Sequence, residues 1–457
     1  MNFLKPRSPL AHLIGIPLNA NAVTTLHSAL EFRLELLKQI ASAKQRIYLC
    51  SLYLQNDEAG GELVEALHKA KAARPALDIA VLVDWHRAQR GLIGEAKKIG
   101  EQAGNAGWYQ KIASAHTTHV PIYGVPVQTR ELFGVLHLKG FVIDDSVIYS
   151  GASLNNVYLH KFDKYRHDRY LILQSTALAN CMQLFIREHL LSASAVHRLD
   201  IVEIPTTQSI RGDIRSFREK LKQARYSINS QDHSQTEGSE STSLSVTPLV
   251  GVGKNNPLNK VICQLLAASK HQITICTPYF NFPLAVTREI NRALKRGVKI
   301  DIIVGDKTAN DFFIPPDQAF KIIAALPYLY ETNLRRFAKS HQTALNNRQL
   351  NLHLWKDGDN TYHLKGVWID QNYTLMTGNN LNPRAFRLDL ENALLIHDPQ
   401  HELAKQREAE LQSIFLHTMP IDHYRSLEKT SMYPVEVRKL LSRLSRTRLD
   451  RLAYRVL

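Results

Sequence analysis

The sequence predicts an α/β protein of two homologous halves with its functional site between them. Three observations support this: self-similarity at one fixed offset, a β-α-β order in each copy, and a His-x-Lys-x4-Asp motif in each copy. Ile47 and Ile273, Cys50 and Cys276, Tyr53 and Tyr279, and His137 and His363 all stand 226 residues apart. The apolar run after Lys44 and its counterpart after Lys270 have strand length and β-branched composition. A helix-like stretch follows each, Gly60 to Ala73 and Leu284 to Arg296, then a second strand ending at Asp84 or Asp306. Segments 134–151 and 362–378 carry the motifs. The chain thus divides into a first half over 1–227, a second half over 246–424 and a basic tail over 425–457. Between the halves, 228–245 is dominated by Ser, Thr, Gln and acids, the composition of a linker or exposed loop.

At 457 residues, with 44% hydrophobic and 22% charged side chains, the chain can bury a large core. Lys and Arg number 57 against 42 Asp and Glu, giving a formal charge of +15. Such an excess suits a polyanion: nucleic acid, an anionic membrane or a phosphate-rich substrate. The four cysteines form no CxxC pair, which excludes a zinc knuckle, and three lie in apolar runs expected to be buried. A spanning helix needs about 20 mostly apolar residues, and no window qualifies. The N-terminus lacks a signal-peptide apolar region. A reducing compartment and at most one-sided membrane attachment are expected.

The repeat carries the chemistry. His137, Lys139, Asp144, Gly151 and Asn155 recur as His363, Lys365, Asp370, Gly378 and Asn382. On a strand, residues two apart share a face, so each His points the same way as its Lys. Two such faces brought together suit a phosphodiester. Lys139, Lys365, Asn155 and Asn382 would neutralise phosphoryl oxygens, one His would attack phosphorus and the other would shuttle protons. No metal or other cofactor is required, and the sequence does not decide any effect of a divalent cation. The attacking imidazole needs its second nitrogen held by an acceptor; Asp168 and Glu391, at equivalent places after the motifs, are the expected orienting carboxylates. Asp144 and Asp370 are expected to brace turns.

These residues resemble the HKD signature of the phospholipase D superfamily. The segments VLVDWHRAQRG, ICTPYFN, IIVGDKTANDFFIP and TGNNLNPRAFRLDLENA are similar to the Gram-negative type of phosphatidylserine synthase. The first copy reads GASLNN, placing Asn155 one residue later than the usual Gly-Ser-x-Asn, and GNNLN repeats that spacing. The resemblance implies a duplicated phospholipase D-like fold, each half a mixed sheet flanked by helices. It implies CDP-diacylglycerol and L-serine as substrates and a phosphatidyl-histidine intermediate. Symmetric motifs do not identify the nucleophile; analogy favours His137. A cardiolipin synthase or phospholipase D with another acceptor remains open, as does homo-oligomerisation. The charge alone would permit a nuclease, but specific nucleic-acid binding is not expected.

Loops at the strand ends supply substrate candidates. Trp85 is expected to stack on cytosine, Arg87, Arg90 and Lys307 to meet the diphosphate, and Tyr279 to line the pocket. The GVGK at 251–254 lacks Walker spacing and reads as a turn. The tail has net charge +6 and helical apolar spacing, with Arg438, Lys439, Leu440, Leu441, Arg443 and Leu444 at its centre. Such a helix either docks an anionic phospholipid surface, placing the protein peripherally on the cytoplasmic face of the inner membrane, or packs its apolar side on the domain with its basic face to solvent; TRELFGV (129–135) is a second lipid-contact candidate.

Overall fold

The computed structural model describes residues 9–90, 104–229 and 243–446. Two large mixed sheets share one strand order. In the first, Ile122–Val125, Asp78–Asp84, Arg46–Cys50, Phe141–Ile143, Ser146–Ser150, Tyr170–Gln174 and Val23–Leu26 lie side by side. In the second the equivalent order is Leu350–Trp355, Lys299–Gly305, Gln272–Thr277, Gly366–Ile369, Tyr373–Thr377, Leu390–His397 and Ser245–Val252. The first three strands of each run are parallel, as the β-α-β order requires, and the rest antiparallel. The expected helices form as Glu58–Ala73, capped by Asp57 on the Gly60 N–H, and Leu284–Lys295.

Strand alternation joins the halves. On Leu390–His397, Leu390, Leu394 and Ile396 enter the core shared with the first half. Ala393 and Leu395 enter the second half's own core. Arg169 of the first half reaches Glu410 of the second through two hydrogen bonds of 2.7 and 2.8 Å, both groups buried.

One segment within 1–227 pairs with the other sheet. Ile16–Pro17 pairs with the start of Ser245–Val252, and Leu10 lies in the second core. Ile16–Pro17 thus covers the edge of the second sheet, while the Ile16 side chain enters the core shared with the first half. The two motif strands also cross over: Leu136–His137 runs beside Leu390 and Glu391, and Thr361–Tyr362 beside Arg166–His167. Of the expected linker, 230–242 lies outside the described residues; Ser245 already opens a strand.

The tail forms the helix Val435–Arg446, but part of its apolar side is occupied. Val437 is buried against Ala325, Tyr328 and Tyr433, and Leu440 and Leu441 lean on the same cluster. These two leucines therefore do not form an open lipid-facing stripe, because the Ile322–Ala325 turn and helix Leu326–Ser340 provide a seat for them. Arg438, Lys439 and Arg443 are exposed, and the Leu444 side chain lies outside the described residues. Among the described residues no helix is long and apolar enough to cross a membrane.

Asp144 and Asp370 do the same work in each half. Both adopt φ of 49° in a hairpin turn. Asp144 accepts the backbone N–H groups of Lys44, Gln45 and Arg46, and Asp370 those of Lys270, His271 and Gln272, at 2.7 to 3.1 Å. The motif aspartate thus ties its hairpin to the entry of the central strand. Asp370→Ala is expected to cost roughly 1–3 kcal/mol by removing charge-assisted hydrogen bonds. Asp370→Asn, which tolerates positive φ, should lose less; calorimetric Tm values that rank the two variants the other way would refute this account.

Candidate active site

The crossover of the motif strands makes each histidine depend on the opposite half. His137 sits beside Glu391 in the parallel pairing, and its Nδ1 lies 2.9 Å from both Glu391 carboxylate oxygens. His363 follows Tyr362, whose neighbour is His167, so Asp168 is next in register. Its Oδ2 lies 2.8 Å from His363 Nδ1. The two carboxylates expected to orient the histidines do so across the halves.

The lysines cross in the same way. A Cβ built on Gly378 would lie 2.7 Å from Lys139 Cγ. One on Gly151 would lie 2.7 Å from the Asp168 carboxylate and 3.0 Å from Lys365 Nζ. The motif glycines are required for this close approach. Lys139 Nζ donates to the Ala152 carbonyl at 3.2 Å, and Lys365 Nζ lies 2.9 Å from His363 Nε2 and 3.5 Å from Asp168. All four motif side chains are buried.

Burial sets the electrostatics. It holds both imidazoles well below their ordinary pKa, reinforced at His137 by Lys139 and Lys365 and at His363 by Lys365 and Arg166. Burial also pulls Lys139 down to about 8 and Lys365 to about 7, against the opposing pull of Asp168 and Glu391. The site therefore presents neutral imidazoles and lysines whose charge an arriving phosphate would secure.

The histidines differ in what surrounds them. His137 Nε2 makes no hydrogen bond to a described residue. The Tyr158 hydroxyl lies 3.1 Å from both ring nitrogens of His363, and Lys365 Nζ is against both, nearer to Nδ1. Asn155 and Asn382 each accept, through Oδ1, the N–H three residues later, at Tyr158 and Ala385. This fixes the two amides with Nδ2 as the donor end.

Sequence reasoning missed several positioning groups. Asn392, next to Glu391, accepts the Lys139 N–H and donates to its carbonyl, both at 2.8 Å. Asp84 accepts the Leu136 N–H at 2.9 Å besides capping the helix Trp85–Gln89. Its place at a strand end opening a helix was a visible signal. Tyr158, Arg166 and Asp311 carried none, because distant segments bring them to His363.

Two substrate expectations fail. Trp85 is fully buried in the first core and donates its indole N–H to Thr207, so it cannot stack on a base. The helix begins directly after Asp84 and turns that ring inward. Lys307 is held between Glu331 at 3.1 Å and Glu428 at 2.7 Å, which occupy its charge. Arg87 and Arg90 both pair with Glu131, at 2.8 and 2.5 Å. They line a cavity of about 530 Å³ with Tyr53, Asp57, Asn105 and Asn155. Tyr279 is buried with its ring edge toward His363, centroids 6.3 Å apart.

Phosphodiester chemistry on a duplicated mixed sheet, with one histidine-lysine pair from each half, defines the phospholipase D-like class. The family described as "Cardiolipin synthase, PLD-like domain" matches residues 36–183 and 262–415. Within that class the chain belongs to the phosphatidylserine synthase family. It is 52% identical to the CDP-diacylglycerol–serine O-phosphatidyltransferase of Escherichia coli strain K12, over 99% of this chain and 98% of that one. It is 48% identical to the Haemophilus influenzae enzyme of the same name, over 98% and 97%. The crystal structure of the H. influenzae phosphatidylserine synthase superposes with a TM-score of 0.93, covering 98% of both chains.

Gly378→Ala should displace Lys139 and lower turnover about a hundredfold, the scale of an ångström's misplacement, with Tm within a few degrees of wild type. Full activity in a folded Gly378→Ala variant would contradict the close approach of Lys139.

Proposed function

We propose that the protein transfers a phosphatidyl group from CDP-diacylglycerol to the hydroxyl of L-serine through a phosphatidyl-histidine at His137. The observation that carries this reading is the asymmetry of the two crossed pairs. His137 has Nδ1 held by Glu391 and an Nε2 with no hydrogen bond to a described residue, whereas His363 is in contact with Tyr158 and Lys365. The full-length similarity to two enzymes of that name supports the choice of substrates.

In the first step Nε2 of His137 attacks the phosphorus bearing diacylglycerol. The N–P bond forms as the bridging P–O bond breaks, and CMP leaves. Lys139 and Lys365 stabilise charge on the phosphoryl oxygens. In the second step His363 takes the serine hydroxyl proton, the oxygen attacks phosphorus and the N–P bond breaks. No cofactor enters either step as written. The Arg87–Arg90 cavity, bordered by Asn155, is the proposed seat of the CMP portion. The diacyl chains stay in the bilayer, so the enzyme would work peripherally at an anionic membrane surface, toward which the exposed Arg438 and Lys439 could turn.

CMP release from CDP-diacylglycerol in mixed micelles should depend on serine, and His137→Ala should lower it at least about a thousandfold. Radiolabelled phosphatidyl-enzyme, acid-labile and trapped without serine, should form in wild type and not in His137→Ala. Label on His363, or CMP release indifferent to serine, would defeat the proposal. Protonated lysines are needed, so kcat/KM should fall as pH rises through about 7 to 8, the range set for Lys365 and Lys139. The limb in kcat should lie higher, because bound phosphate favours the charged amines. A kcat/KM flat from pH 6.5 to 9 would rule this out.

A further inference from the structure

We propose that Arg166 and Asp311 form the acceptor site, with Arg166 receiving the α-carboxylate and Asp311 the α-ammonium of a small zwitterionic amino alcohol. Its hydroxyl would lie at His363; the inference rests on the reading of that histidine as the acceptor-side base.

The two groups come from different halves. Arg166 lies two residues before Asp168, on the short strand beside Thr361–Tyr362. Asp311 lies in the loop that follows strand Lys299–Gly305. They stand 3.5 Å apart, Arg166 Nη1 to Asp311 Oδ2, wider than the roughly 2.7–2.9 Å of a full charge-assisted hydrogen bond. Each is anchored from behind. Arg166 Nε donates to Thr361 Oγ1 at 3.0 Å, and its guanidinium lies 4.6 Å over the Tyr158 ring. Asp311 Oδ1 accepts the Tyr279 hydroxyl at 2.6 Å. Nη1 and Nη2 make no further hydrogen bond to a described residue, and the Asp311 carboxylate otherwise has its own backbone N–H.

Their surroundings make this an unusual place for an incompletely bonded ion pair. Both side chains are largely buried, 13% and 19% exposed, where unmet hydrogen-bonding capacity is costly. Tyr158, Tyr279, Phe312 and Tyr330 stack or tilt beside it. Both charges act on His363, and the Tyr158 hydroxyl lies 3.1 Å from its Nε2.

The fold does not require this pair. At the equivalent place in the other half, two residues before Glu391, stands Asp389. It is occupied by the Val135 N–H at 3.0 Å and Arg384 at 3.0 Å. A loosely paired cation and anion therefore stand beside His363, while the matching position near His137 is closed.

Selectivity follows from charge. A zwitterion completes both partners at once. Glycerol completes neither, an amino alcohol without a carboxylate leaves Arg166 unmet, and a hydroxy acid without an ammonium brings its charge against Asp311. Rejection by unpaired buried groups is stronger than rejection by size.

The test compares wild type, Asp311→Asn, Arg166→Gln and Arg166→Lys with L-serine, ethanolamine, 3-hydroxypropionate and glycerol as acceptors. Exchange of labelled CMP into CDP-diacylglycerol reports the first step separately. Asp311→Asn and Arg166→Gln should raise the KM for serine about a hundredfold, while CMP exchange falls by less than about tenfold. Asp311→Asn should narrow the preference for serine over 3-hydroxypropionate, Arg166→Gln should narrow that over ethanolamine, and Arg166→Lys should recover part of the loss. If Arg166→Gln loses CMP exchange altogether, the isosteric Asp311→Asn decides. Parallel loss of exchange and transfer with an unaltered serine KM, or unchanged acceptor preferences, would overturn the assignment. A wild-type enzyme that exchanges CMP but never transfers to serine would instead defeat the proposed function.

Discussion

Each histidine in this protein is completed by a carboxylate from the other half, and the rest of the site depends on that exchange. His137 is held by Glu391 and His363 by Asp168. Neither half contains an oriented imidazole alone, so the site exists only when both sheets are docked. The short strands Leu136–His137 and Thr361–Tyr362 enforce the exchange by pairing in the opposite half. The Arg169–Glu410 pair and the alternating residues of Leu390–His397 hold the two layers in register. A buried ion pair of this kind costs desolvation and is strongly destabilising to break, which suits a contact whose role is to fix geometry.

Docking also creates the electrostatics. Four cationic or potentially cationic side chains are enclosed with two carboxylates, and burial disfavours every uncompensated charge. The imidazoles consequently stay neutral, and the lysines lie near the pH at which they gain or lose a proton. The glycines at 151 and 378 are part of the same arrangement, since any side chain there would meet the opposite half's lysine and, at 151, the Asp168 carboxylate as well.

Pseudo-symmetry ends at the periphery of the site. The repeated aspartates 144 and 370 and the paired glycines are interchangeable in role. The environments of the histidines are not: Tyr158, Arg166 and Asp311 gather at His363, whereas Asp389 and Arg384 are paired with each other near the strand of His137. A duplicated scaffold supplies two equivalent reactive groups, and unequal neighbours allow them to serve different substrates.

The sequence by itself determined the duplication, the two motifs, the turn-bracing aspartates and the identity of the orienting carboxylates. The first three are written in local spacing or in a constant offset, which survive without knowledge of the fold; the carboxylates, 223 residues apart, are found by their place on the strand after each motif. The direction of Trp85 and the ion-pairing of Lys307 were not legible, because side chains in loops after strands take their direction from packing. Whether the tail's leucines dock a membrane or pack on the domain was not legible for a similar reason: helical spacing shows an apolar side but not what covers it. Only the tertiary structure decided that Ile16–Pro17 covers the edge of the second sheet, that the carboxylates act across the halves, and that Arg166 meets Asp311. These are contacts between segments more than a hundred residues apart, and no periodicity in a chain encodes which of its ends will be neighbours.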